Sequence, residues 1–136
     1  MASQTSAMMR PLAVMMSRDF QAIRADATLA EAAELMRAAR VGALLVSASN
    51  VHVGVVSERD LVRKAMARGA DPRQERVSAV MSSPIISLEL DRSAHEASDL
   101  MAEKGIRHLV ITHEGAIVGM ISVRDLLRYF KNWGTL

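Results

Sequence analysis

Short apolar runs and helix-like apolar spacings alternate along the chain, and this order of elements occurs twice. In the first half, the pattern predicts an extended segment at 20–23 and a helix that opens at Thr28. Two apolar runs at 42–46 and 51–56 are typical of buried strands, and a second helix follows at 57–68. The first half therefore has the order strand, helix, strand, strand, helix.

The first predicted helix begins with a capping box. Thr28 and Glu31 have the spacing at which each side chain bonds the backbone amide of the other residue. The polar residues 47–50 form the predicted turn between the two strands that follow the helix. Apolar residues at helical spacing supply its predicted buried face: Leu29, Ala32, Ala33, Leu35 and Met36.

The second half copies this order. An extended segment is predicted at 84–88, and a helix follows it with a Ser-x-x-Glu capping box at 93–96. Strands are predicted at 107–112 and 116–121, and Ser122 opens the last helix.

The two halves align at a constant offset of 65 residues without a gap. Fifteen of the 48 aligned positions are identical, against about 3 expected by chance. Two similar units in one chain usually pack as a pseudo-symmetric pair, with clefts that draw residues from both units. We therefore predict an α/β (α+β) fold of two β-α-β-β-α repeats packed as one compact module. The predicted divisions are repeat 1 at 12–68, a polar linker at 69–76, repeat 2 at 77–130 and a C-terminal tail at 131–136.

Composition restricts the classes of function. The chain has 136 residues, half of them hydrophobic, which suffices for one compact domain. Its net charge of +2 suits a small anionic ligand, whereas long Lys/Arg runs and interleaved aromatic residues, which a nucleic-acid surface needs, are absent. The chain has no cysteine, which excludes disulfides and thiolate sites. The sequence has neither a signal peptide nor a membrane span, so we expect a soluble cytoplasmic protein.

Three of the four aromatic residues lie near the C-terminus, at Tyr129, Phe130 and Trp133. We expect them to pack as hydrophobic anchors on the domain or on a partner chain. Stacking on a ligand is the alternative.

A Gly-x-x-Ser-x-Arg-Asp motif ends at Asp60 in repeat 1 and at Asp125 in repeat 2. One interpretation is helix capping, because Ser-x-x-Asp at a helix start resembles a capping box. The other is ligand binding, because Asp is shorter than Glu31 and Glu96 of the other two boxes and would reach the cap amide less readily. Free helix amides, a hydroxyl and a guanidinium can hold a phosphate, and a carboxylate can accept bonds from both ribose hydroxyls. The residues alone leave both interpretations open.

The repeats resemble a tandem pair of CBS domains, also called a Bateman module. The resemblance covers about residues 12–130 and rests on the element order and on both Ser-x-Arg-Asp motifs. It rests further on Met-Ser at 16–17, Met-Ser-Ser-Pro at 81–84, Arg-Val-Gly-Ala-Leu at 40–44 and Ile-Arg-His-Leu-Val at 106–110.

This resemblance implies a regulatory module that binds an adenosine-containing ligand, with AMP, ADP or ATP expected and NAD or S-adenosylmethionine as further members of the class. In such pairs the adenine lies against the first and second strands of one repeat. The ribose and phosphates lie against the Ser-x-x-Asp helix start of the other repeat. The resemblance also implies a homodimer and a regulated partner protein, which the sequence does not identify.

Carried over to this sequence, the resemblance implies two unequal clefts. In the first, Asp125 would hold the ribose and Ser122 and Arg124 the phosphates, with Arg107 and His108 nearby; the adenine wall would be Met16, Gln21, Val41 and Ala43. In the second, Asp60 would hold the ribose beside Ser57 and Arg59; the adenine wall would be Ile86, Ile106 and His108. Arg107 aligns with Gly42, so the Asp60 cleft lacks one phosphate partner.

Catalysis and metal binding have little support in the sequence. The four histidines lack the i, i+4 spacing of a helical metal pair, and there is no activated thiol, catalytic triad or Walker loop. We expect no metal site, no catalytic cofactor and no enzyme activity. The leading hypothesis is a stand-alone nucleotide-sensing module. The alternatives are a structural or protein-interaction dimerisation module with empty clefts and, on the basic charge balance alone, a nucleic-acid binder.

Overall fold

The computed structural model describes residues 10–132, which form two compact units of mixed α and β structure. One unit combines residues 10–19 with residues 86–132, and the other consists of residues 20–85. Each unit contains one three-stranded sheet, two longer helical segments and one 3-10 turn, at Leu12–Val14 in the first and Val77–Ala79 in the second.

The unit of residues 20–85 follows the predicted order. Its elements are β1 (Ala22–Arg24), α1 (Leu29–Ala39), β2 (Ala43–Ala48), β3 (Val51–Ser57) and a helical run over 58–68 that we name α2. Strand β2 lies in the middle of the sheet, parallel to β1 and antiparallel to β3. The turn between β2 and β3 has two residues and not the predicted four, because positive φ at Ser49 and Asn50 makes a tight hairpin that keeps Ser47 and Ala48 in the strand.

Helix α1 begins with the predicted capping box. The Thr28 hydroxyl accepts the Glu31 amide at 3.2 Å, and the Glu31 carboxylate accepts the Thr28 amide at 3.0 Å. These bonds from Thr28 hold the pKa of the Glu31 carboxyl below its ordinary value. Leu29, Ala32 and Met36 are buried as predicted, whereas Ala33 is exposed because it lies off the core-facing stripe.

Run α2 is helical over 58–68 of the predicted 57–68, with Ser57 as its N-cap, but it is not a regular α-helix. It starts as α-helix at Glu58–Asp60, continues as π-helix at Leu61–Ala65 and ends as 3-10 helix at Met66–Arg68. The widened π turn places Ala65 in the core of this unit.

The unit of residues 10–19 and 86–132 has the same topology. Its elements are a 3-10 turn at Leu12–Val14, then β4 (Ser87–Glu89), α3 (Ala94–Lys104), β5 (His108–His113), β6 (Ala116–Ser122) and α4 (Val123–Asn132). The Ser93 hydroxyl accepts the Glu96 amide at 3.2 Å, so the predicted cap of α3 is confirmed on the serine side. The Glu96 carboxylate pairs with Arg92 at 3.0 Å. The core holds Leu12, Ala94, Ala97, Met101, Leu109, Ile111, Ile121, Leu126 and Phe130.

Two of the C-terminal aromatic residues pack on this core. Phe130 is buried, and Tyr129 packs half-buried against the same cluster with its ring edge-on to Phe130. Both follow the prediction of hydrophobic anchors. Trp133 and residues 133–136 of the predicted tail lie outside the described residues.

The two Met-Ser segments each pack on the last strand of the repeat to which they do not belong in sequence. Ser17 pairs with Met120 of β6 through backbone bonds of 2.8 and 2.9 Å. Ser82 pairs with Val55 of β3 through bonds of 2.8 and 3.0 Å. Because Ser17 pairs with β6, residues 10–19 belong to the same compact unit as residues 86–132.

Candidate functional site

The junction of β6 and α4 forms a closed hydrogen-bonded turn. The Asp125 amide donates to the Ser122 hydroxyl at 3.1 Å, and the Ser122 amide donates to Asp125 Oδ2 at 2.9 Å. Ser122 therefore caps α4, and Asp125 returns the bond. We call residues 122–125 the Asp125 turn.

The equivalent junction of β3 and α2 has the same arrangement. The Ser57 amide and hydroxyl donate to Asp60 Oδ2 at 2.9 and 3.1 Å, and the Asp60 amide donates to the Ser57 hydroxyl at 3.2 Å. We call residues 57–60 the Asp60 turn. Both turns contradict the expectation that Asp reaches the cap amide less readily than Glu. The Ser57 and Ser122 amides lie 2.9 Å from the Asp carboxylates, against 3.0 Å between the Thr28 amide and Glu31, so the shorter side chain reaches the cap amide equally well.

The capping bonds therefore use one carboxylate oxygen of each aspartate, Oδ2, and do not involve the second oxygen, Oδ1. A carboxylate accepts bonds at two oxygens and about four lone-pair sites. Among the bonds of residues 10–132, those to the Asp125 carboxylate reach Oδ2. Oδ1 of that residue is the acceptor that a ligand hydroxyl could use.

Two further predicted residues lie beside the Asp125 turn. The Arg107 carbonyl accepts the Val123 amide at 3.0 Å, and His108 lies opposite Ser122 in the pairing of β5 and β6. The side chains of Arg107 and Arg124 are exposed. The structure thus brings together five of the residues predicted from the sequence, and two of them, Arg107 and Arg124, have exposed side chains.

The Asp60 turn lacks one of these groups. The carbonyl that accepts the Glu58 amide at 2.9 Å belongs to Gly42, and Ala43 lies opposite Ser57. Because glycine stands where the other unit has Arg107, the predicted asymmetry in charge is present at matching backbone positions.

The predicted adenine-wall residues are distributed over both units. Met16, Ile86 and Ile106 pack half-buried against the core of the unit that holds Asp125. In the unit that holds Asp60, Val41 packs half-buried, Ala43 is buried in β2, and the Gln21 carbonyl accepts the Leu45 amide at 2.9 Å. Each predicted cleft combines residues of both units, so the two adenine walls stay predictions.

Sequence reasoning missed Lys64. Its ammonium pairs with Asp60 Oδ1 at 3.1 Å and so contacts the carboxylate oxygen that the capping bonds do not use. The i, i+4 spacing of Asp60 and Lys64 on a helix was the available signal.

Other chemistry is limited in the part of the chain that the structure describes. No group of three or more His, Asp or Glu residues in 10–132 could hold a metal ion, and no helix in that range is long and apolar enough to cross a membrane.

A depression of about 450 Å³ lies at the other end of the sheet from the Asp60 turn and contains none of the predicted site residues. Its walls are Arg24, Ala25, Asp26, Ser47, Ala48, Ser49 and Asn50.

Comparison with known families explains the duplicated turn. A family model described as CBS domain matches the chain twice, at residues 12–67 and 77–132. The chain belongs to the CBS domain family. The CBS domain-containing protein YhcV of Bacillus subtilis is 35% identical over 111 residues, which cover 82% of this chain and 79% of that protein. An uncharacterized protein of Methanopyrus kandleri is 34% identical over 103 residues, which cover 74% of this chain and 53% of that protein. This CBS pair thus spans about half the length of the Methanopyrus relative.

Solved structures share the CBS-pair fold. A conserved protein from Pyrococcus horikoshii superposes with a TM-score of 0.84 and 29% identity, covering 89% of this chain and 92% of that one. A hexameric CBS-CP12 protein from bloom-forming cyanobacteria superposes with a TM-score of 0.82 and 29% identity, covering 89% and 72%. The predicted α+β fold with two β-α-β-β-α repeats is therefore confirmed.

Proposed function

We propose that this CBS pair is a cytoplasmic regulatory protein that binds an adenosine nucleotide and carries out no catalysis. AMP, ADP and ATP are the proposed ligands, with NAD and S-adenosylmethionine as further members of the class. The observation that carries the proposal is the Asp125 turn, where a carboxylate oxygen and two exposed arginines lie at one helix start.

The chemistry of the turn suits a ribose phosphate. Asp125 Oδ1 can accept hydrogen bonds from ribose hydroxyls, as acidic residues do in dinucleotide folds. Arg107 and Arg124 can form charge-assisted bonds to phosphate oxygens, which are stronger than neutral bonds. The Ser122 cap fixes the turn before the ligand arrives, so little ordering is needed on binding.

Regulation would follow from differential affinity. A ligand that prefers one conformation of the pair shifts the population towards it, and a partner protein that reads this conformation then binds more or less tightly.

A homodimer is part of the proposal. Val62 and Leu127 occupy matching positions of the two repeats, and each is about half exposed at 52% and 51%. Met66, one helical turn after Val62, is 72% exposed. Large apolar side chains at equivalent helix positions support burial against a second copy of the chain.

The alternative is a dimerisation module with empty clefts. The completed capping bonds favour it, because they give Ser57, Asp60, Ser122 and Asp125 a structural task that needs no ligand.

Thermal unfolding with a ligand panel separates the two functions. At a hundredfold excess of AMP over its Kd, a ligand that binds only the folded state adds about 2.7 kcal/mol to the free energy of unfolding. For a chain of this length the melting temperature should rise by roughly 8 °C. Scanning fluorimetry with AMP, ADP, ATP, NAD and S-adenosylmethionine measures it, with GMP as the control nucleotide. A panel that leaves the melting temperature unmoved at millimolar concentration would select the dimerisation module.

A further inference from the structure

The two aspartate turns differ in what contacts the second carboxylate oxygen. Asp60 uses Oδ2 for the capping bonds, and its Oδ1 lies 3.1 Å from Lys64 Nζ. The side chain of Asp60 is only 12% exposed, whereas that of Lys64 is 47% exposed, so the carboxylate is largely shielded from water but the lysine side chain is not. Both oxygens of this carboxylate are therefore engaged.

Lys64 is itself fixed by further bonds. Its ammonium donates to the Val80 carbonyl at 3.3 Å and to the Ser82 hydroxyl at 3.2 Å. An ammonium has three donors, and these two acceptors together with Asp60 use all of them. Lys64 thus ties the Asp60 turn to the segment that follows the linker.

The Asp125 turn has no such lysine. At the offset of 65 residues, Lys64 corresponds to Tyr129, which carries no positive charge. Among the ion pairs of residues 10–132, none includes Asp125. The carboxylate that keeps an available oxygen is also the one with Arg107 beside it.

We propose that Lys64 closes the Asp60 turn to the nucleotide, so that the chain binds one ligand, at Asp125. This inference rests on the proposed function. A ribose at Asp60 would have to displace an ammonium from a shielded carboxylate and leave it without its partner, which is costly. Lys64 is thus the residue that sets the number and position of bound nucleotides.

Calorimetric titration with AMP tests this through the stoichiometry, which a merely structural role of Lys64 would not change. The parent chain should bind one AMP per chain, and Asp125→Asn should weaken that binding at least tenfold. Lys64→Met should gain a second AMP per chain, about tenfold weaker than the first because Gly42 replaces Arg107 there. Adding Asp60→Asn to Lys64→Met should remove the gained site.

Arg63→Met is the matched control, because it removes one positive charge from the neighbouring exposed position of α2. It should retain a single AMP per chain. Where Lys64→Met unfolds early, Lys64→Gln removes the charge while keeping hydrogen-bonding capacity and serves as the second variant.

The outcomes distinguish this inference from the proposed function. Two AMP bound by the parent chain, or one AMP retained with parental Kd in Asp125→Asn, would overturn the role of Lys64 while nucleotide binding stands. A Lys64→Met variant that still binds a single AMP would also overturn it. Absence of any AMP binding by the parent chain would overturn both.

Discussion

Gly119→Ala should lower the free energy of unfolding by about 2–3 kcal/mol, the upper part of the range for overpacked sites. A Cβ at Gly119 would lie 2.7 Å from the Ser17 carbonyl oxygen and 2.8 Å from Met16 Sδ. The methionine can move its flexible end, but the Ser17 backbone is held by two hydrogen bonds to Met120. Gly54→Ala should behave similarly, since its Cβ would lie 2.8 Å from the Ser82 carbonyl oxygen.

Urea denaturation of the variants measures the effect. Gly105→Ala is the control: no atom lies within 4 Å of the added Cβ, and only its positive φ of 66° opposes the change. That variant should cost about 1 kcal/mol. If Gly119→Ala costs no more than Gly105→Ala, the Met16-Ser17 segment does not pack on β6 as described.

Asp125→Asn should weaken AMP binding by about 10- to 150-fold, which corresponds to the 1.5–3 kcal/mol of a charge-assisted hydrogen bond. Asparagine keeps an oxygen that can accept the Ser122 amide, so the cap of α4 survives. The free energy of unfolding should therefore fall by about 1 kcal/mol or less. Titration calorimetry measures the Kd for AMP and urea denaturation measures the free energy of unfolding, both on one preparation of the variant.

The opposite pattern would assign Asp125 to capping alone. In that case Asp125→Asn would unfold at lower urea and bind AMP with the parental Kd. Asp99→Asn, an exposed carboxylate on α3, is the matched control for loss of one negative charge and should leave AMP binding unchanged.

The order of the elements and the core residues could be predicted because the same hydrophobic pattern occurs in both halves of the sequence. Apolar runs fixed β2, β3, β5 and β6 to within two residues, and Thr28 and Ser93 marked two helix starts through their side-chain oxygens. The repeat offset also paired Arg107 with Gly42, and the structure places both at the same point of their turns. Local chemistry was sufficient for each of these predictions.

The exchange of the Met-Ser segments could not be read from local patterns. Met16 and Met81 are equivalent, as are Gly54 and Gly119, so each methionine has two glycines on which it could pack. The structure selects Met16 with Gly119 and Met81 with Gly54. That choice is a property of the chain path, which periodicity does not report.

The error over the aspartates arose from side-chain length considered without backbone direction. Asp60 Oδ2 accepts the Ser57 amide at 2.9 Å, as close as Glu31 lies to the Thr28 amide at 3.0 Å, so the backbone at the helix start brings the amide within reach of either side chain. The role of Lys64 was missed for a related reason, since its spacing from Asp60 equally fits an exposed helix pair of little energetic weight. Burial of Asp60, seen only in the folded chain, makes the pair significant.

Native mass spectrometry of the chain in excess AMP tests the central claim most directly, because it counts bound nucleotides and copies of the chain together. The account predicts a dimer of the 14.8 kDa chain that carries two AMP, one per chain, and no comparable adduct with GMP. A protein that stays free of ligand at millimolar AMP, or that takes up AMP and GMP equally, would contradict it.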